Sequence, residues 1–347
     1  MYQTENIYVR IDSSANETYV STVHDVISIV LFCRLSLDAT APVLTPAVLA
    51  ATKRAGAKPT VHLFACALIS NAASFILLIS NPANLVLYEG RPSGIVEWLT
   101  SFALPSFVVI LATFTALAFW FRAEPKQSLA PRRQLIPEFS RGASVVVSGG
   151  LVCVIAVMMV VSYFGDNFKI PAFVAASSVA LFTSCFQRKV PFRTLAKVSW
   201  SVISLVAALF VIVSALNQAG AEKWMSEFFA RIQSFPTALS LAAGGFGVGM
   251  LSNLLNNPPI GMIAGGAIKQ TLVSPPLRRV ILLGVDLGPN LSVTGSLSTI
   301  LWLIAIRQDG EGVRARDFFK VGLLAMPFAM LLAMLLAIAA LFVTSNN

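Results

Sequence analysis

Of 347 residues, 56% are hydrophobic and only 12% charged, and the mean hydropathy is +0.77. This excludes a soluble globular domain, in which about a quarter of residues carry charge, and leaves an all-α polytopic membrane protein. The formal net charge of +9 sits in loops between apolar runs rather than along one soluble face, so it argues for a lipid bilayer and no nucleic acid.

In chain order, residues 1–35 read as a polar N-terminus without signal-peptide form, ending in the remnant of a preceding span. Asp38, Pro42 and Pro46 then interrupt an apolar stretch over 36–51 that predicts a hairpin. A span over 62–88 follows, broken between Asn71 and Asn84 and restarting after Ser80-Asn81-Pro82. Unbroken spans are predicted over 98–121, 143–164, 171–186, 198–216 and 321–343, each close to the ~20 residues that cross a bilayer. A second hairpin is predicted over 236–268, with Asn253, Asn256, Asn257, Pro258 and Pro259 around its tip, and a second broken span over 280–306. That break holds Asp286, Gly288, Pro289, Gly295 and Ser296. Cys33, Cys66, Cys153 and Cys185 stand singly in apolar runs, with neither zinc-site nor disulfide spacing, and read as small buried hydrophobes.

The two interrupted regions read as rough copies. Asp38 lies 33 residues before Asn71, and Asn253 lies 33 before Asp286. Loop charge gives them a direction. The loops within 53–58, 122–141, 188–197 and 307–320 carry sixteen Lys and Arg, against seven in the opposite set, so the first set is assigned to the cytoplasm. The alternation closes only if the first hairpin enters and leaves on the cytoplasmic side and the second on the outer side. This predicts inverted-topology repeats with two re-entrant hairpins and two broken transmembrane helices. The first repeat spans 36–121, a cytoplasmic linker 122–141, connecting transmembrane helices 142–235, and the second repeat 236–347. Paired breaks of this kind point to a transporter's binding site, because unwound backbone at membrane depth is tolerable only where it lines a cavity.

An acidic group at the centre of a span costs about 2.5–3.5 kcal/mol on insertion scales, so Asp286 must face the bundle interior or water. It either takes part in coupling to an ion or proton or caps the broken backbone. Gly288 and Pro289 free carbonyls directly after it, and the helix restarting near Ser296 points amide groups into the same gap. Asn253, Asn256 and Asn257 offer donors and acceptors without charge, suited to a neutral hydroxylated solute or an oxyanion. Hydrogen bonding between helices would also place asparagine there. Ser80, Asn81 and Asn84, beside the break at Pro82, form the matching polar set, and Asp38 either couples a proton or caps a helix. With no basic residue in either break, a dicarboxylate substrate is disfavoured. A membrane enzyme would need a constellation of acids or a nucleophile and base that the sequence lacks, and no cofactor motif stands out.

The strings GVDLGPNLSVTGSLSTILWL and LSNLLNNPP in the second half resemble the arsenical pump membrane protein family of the ion transporter superfamily. LSLDATAPVLTPAVLAATKRAGAKP and ISNAASFILLISNPANLVLYEG in the first half resemble the same family. The resemblance implies a multi-pass carrier of the bacterial inner membrane that exports arsenite or antimonite. It implies coupling to protons and, in some members, association with a soluble arsenite-stimulated ATPase. On that reading Ser80, Asn81, Asn84, Asn253, Asn256, Asn257 and Ser296 hold the solute, while Asp38 or Asp286 exchanges a proton. Alternatives are a sodium-coupled or sodium/proton exchanger of the same superfamily, or a non-transporting remnant. Where family members carry Asn-Asp at the first hairpin, this chain has Leu37-Asp38, and the membrane helices that ordinarily precede it are replaced by a largely polar start. The chain therefore reads as N-terminally truncated.

Overall fold

A computed structural model describes residues 59–88, 94–122, 169–186, 200–308 and 310–345, with single positions between 45 and 52 and between 149 and 160. Asp38, most of the first hairpin, the 122–141 linker beyond Arg122 and most of the predicted span at 143–164 lie outside the described residues. Outside the breaks and connecting turns the described residues are helical, as a bilayer requires of any segment whose backbone groups must find partners without water.

The first described unit is α1 (Thr60–Ala72), a 3₁₀ turn (Leu78–Ser80) and the short α2 (Pro82–Leu87). Then come α3 (Ile95–Phe121), α4 (Lys169–Phe186) and α5 (Trp200–Gln218). At Gly220, in the left-handed region with φ 90°, the chain bends by 68° into α6 (Ala221–Gln233). Next are α7 (Thr237–Leu255) and α8 (Asn257–Thr271), joined at Asn256. Last come α9 (Pro275–Leu287), a second 3₁₀ turn (Gly288–Leu291), α10 (Leu297–Gln308) and α11 (Ala315–Ser345).

Among the described residues, α3, α7 and Ala315–Ala339 of α11 are each long and apolar enough to cross a bilayer. Their outer faces present Leu104, Phe107, Leu254, Leu323 and Leu335. In a hydrocarbon solvent these faces need no cover. The α6 helix was not expected as an element of its own. It is amphipathic, with Met225, Phe229 and Ile232 buried three or four residues apart and Trp224 exposed, and its 13 residues are too few to cross a bilayer alone.

Two tight packings hold the molecule's centre. The α7 and α9 helices approach so closely that a Cβ on Gly284 would stand 2.5 Å from the Gly245 carbonyl oxygen and 3.1 Å from the Gly249 nitrogen. The α8 helix lies on α2, where Gly261 meets Ala83 and Gly265 meets the Val86 carbonyl. These contacts bring both breaks and the α7–α8 tip together. The two broken regions match up to their breaks, since α1 and α9 each have 13 residues and carry Asn71 and Asp286 in their last turns. They differ afterwards, because α2 has 6 residues and α10 has 12.

Candidate functional site

At the first break, Pro82 occupies the first turn of α2, where its missing N–H costs nothing, and Asn81 caps the helix through its side-chain oxygen, which accepts from the Ala83 N–H at 3.0 Å. That bond fixes which way the amide faces. Asn81 Nδ2 is turned outward and donates to Asp286 Oδ1 at 2.7 Å, across 205 residues of sequence. Both residues are almost fully buried. The contact gives one carboxylate oxygen of Asp286 a buried N–H donor.

A second pair of amides crosses between the breaks. Asn71 Nδ2, at the end of α1, donates to Asn290 Oδ1 at 3.0 Å and to Thr299 Oγ1 at 3.3 Å. Asn290 Nδ2 in turn donates to the Leu68 carbonyl at 3.1 Å. Asn290 escapes the sequence reading, although the signal that marks Asp286, a polar residue at the Gly288-Pro289 break, marks it equally. Trp98 on α3 is a further unforeseen support, donating from Nε1 to the Phe75 carbonyl freed by the first break.

The α7–α8 tip is stitched to the second break. Asn253 Nδ2 donates to the Gly249 and Gly288 carbonyls at 2.8 and 2.7 Å, and Asn256 Nδ2 to the Thr294 carbonyl at 2.9 Å. The Asn257 N–H donates to the Gly295 carbonyl at 2.9 Å. Asn253 sits in the last turn of α7 rather than at the turn itself, which Asn256 makes with φ 79° and ψ 154°, a strained backbone region that glycine alone enters readily. Pro258 and Pro259 open α8. Gly295 cannot carry a side chain without meeting Pro289 and Asn253 Oδ1, and Ser296 caps α10 by accepting from the Ser298 N–H.

These commitments share one polarity. The Nδ2 groups of Asn84, Asn253 and Asn256 are spent on backbone carbonyls, that of Asn84 on Ser74 at 2.9 Å. Their Oδ1 atoms, with that of Asn257, are buried and make no hydrogen bond among the described residues. The hydroxyls of Ser74 and Ser80 at the first break are likewise buried without partners. Each such group costs about 1–3 kcal/mol if nothing meets it, so a concentration of them marks a place that receives a hydrogen-bond donor, a cation or water. Asp286 is the only charged residue among the buried polar groups described.

Apolar helices packed around two broken ones, with buried amides and one carboxylate at the breaks, define a multi-pass membrane transport protein. Comparison with known families agrees: residues 25–286 match the model named citrate transporter, and the chain belongs to that family. It is 24% identical over 316 residues to an arsenical pump membrane protein of Escherichia coli, covering 87% of this chain and 72% of the relative. It is 25% identical over 318 residues to one of Yersinia enterocolitica, with the same coverage. An uncharacterized transporter of Synechocystis is 22% identical over 304 residues, covering 79% of this chain and 66% of that protein.

Proposed function

We propose that the protein is a secondary carrier that exports arsenite or antimonite from the bacterial cytoplasm across the inner membrane, coupled to protons. The observation that carries this reading is the orientation of the asparagines: their N–H groups are spent on carbonyls and their oxygens left over. Trivalent arsenic near neutral pH is a small neutral trihydroxide, which presents O–H donors to such oxygens. A citrate or dicarboxylate anion presents mainly carboxylate acceptors, and among the described buried polar groups no cationic side chain would compensate its charge. The relatives named arsenical pumps support the same substrate.

In this mechanism the solute is held by Ser80, Asn84, Asn253, Asn256 and Asn257 near the capped starts of α2 and α10, where Asn81 and Ser296 sit. Asp286, or Asp38 in the first hairpin, exchanges the proton, and Asp286 trades its contact with Asn81 as it does so. The two regions act as inverted repeats with re-entrant hairpins, rocking around the crossed amides. The equal lengths of α1 and α9 support that reading.

One observation favours a second reading. Amide oxygens beside a carboxylate also make a hard-cation site, so a sodium-coupled exchanger fits the same oxygens. Arsenite accumulation in everted vesicles carrying the full chain decides between them. The expected outcome is uptake that needs no sodium, collapses with a protonophore, and falls at least tenfold in Asp286→Asn. Sodium-driven flux without arsenite movement would establish the alternative.

A further inference from the structure

Four aromatic rings from four helices meet on the side of the crossed amides that faces the strongly basic loops. Phe64 of α1 lies 5.5 Å from Phe121 of α3, 6.3 Å from Trp302 of α10 and 5.8 Å from Phe318 of α11, and Trp302 lies 5.7 Å from Phe318. None of the four is more than 8% exposed. Phe121 ends α3 directly before Arg122, Trp302 lies within two turns of Arg307, and Phe318 is flanked by Arg316 and Lys320. The cluster therefore closes the molecule between those loops and the network of Asn71, Asn290 and Thr299.

Inside this seal stand two polar groups that the seal does not need. Trp302 Nε1 is buried and donates to nothing among the described residues, and the Ser298 hydroxyl, one helical turn away on the same face of α10, is buried with no partner either. A purely structural plug would use phenylalanine at 302, since an orphaned indole N–H is a net cost. Ser298 neighbours Thr299, which already accepts from Asn71, so the pair leads from the aromatic cluster toward the breaks.

We propose that Ser298 and Trp302 form a transit subsite for a small hydroxylated solute, behind an aromatic gate on the cytoplasmic side. The subsite rests on the reading given under Proposed function and adds to it a donor: the indole N–H meets a solute oxygen, and the serine hydroxyl accepts from or donates to a neighbouring O–H. The solute is thereby held between the gate and the acceptor-rich amides while the rings part and close again.

The test uses the full chain in everted vesicles, with arsenite as the probe and Trp302→Phe and Ser298→Ala as variants that keep the ring packing. Trp302→Phe is expected to lower initial uptake at limiting arsenite about fivefold, the worth of one hydrogen bond to the solute. The double variant is expected to lose little more than the worse single one, because both groups serve one molecule. Arsenite should also change the tryptophan emission of the parent and leave that of Trp302→Phe unchanged, a signature that loss of packing alone would not produce. If the parent moves arsenite while Trp302→Phe matches it in both apparent KM and emission response, the subsite falls and the carrier reading stands. If the parent moves no arsenite, both fall together.

Discussion

Asn81 does two jobs with one amide, capping α2 with its oxygen and holding Asp286 with its nitrogen. Replacing it by alanine should cost about 1–2 kcal/mol for the lost cap. It should also strip Asp286 of its 2.7 Å partner, so transport is expected to fall further than thermal stability in detergent does. Asn290→Ala should behave in the opposite way. It removes two buried hydrogen bonds at once, to the Asn71 amide and to the Leu68 carbonyl, so its main loss, about 2 kcal/mol, should appear as a lowered melting temperature. At this scale the sequence is readable in residue type and unreadable in pairing. An acid or amide beside a Gly-Pro break announces that it is occupied, and Asp286 could be singled out on that ground. Which atom of Asn81 faces which partner depends on a contact 205 residues away, and no local pattern encodes that.

Among the elements, the two 13-residue helices ahead of the breaks follow from hydropathy interrupted by Asn, Gly and Pro. The α6 helix does not, because its 3.6-residue pattern of Met225, Phe229 and Ile232 is spread among Glu222, Lys223, Glu227 and Arg231, and its 13 residues are too few to cross a bilayer alone. It is tied to the end of α8 by a 2.6 Å bond between the Ser226 and Thr271 hydroxyls and by Gln270 donating to Glu222. The close packing of α7 on α9 gives a sharper expectation. Gly284→Ala would push a methyl group into the Gly245 carbonyl and should destabilise the protein by about 1–3 kcal/mol, whereas Gly312→Ala, with nothing within 4 Å, should leave the melting temperature unchanged.

For the whole molecule, loop charge predicts an orientation that can be checked without reference to any substrate. A reporter that is active only outside the cytoplasm should be active when fused after Ser234, in the turn between α6 and α7, and inactive after Gly310, in the basic loop between α10 and α11. The opposite pattern would invert the proposed direction of transport. The crossed amides also bear on how the chain is made. Asn71 and Asn81 emerge from synthesis roughly 200 residues ahead of Asn290 and Asp286, the groups that complete them. At about 5–20 residues per second, the first broken helix must wait some 10–40 s in the membrane with its buried amides unmatched. During biosynthesis the first half is thus an unfinished client, and its survival through that interval depends on whatever shields polar groups beside the translocation machinery.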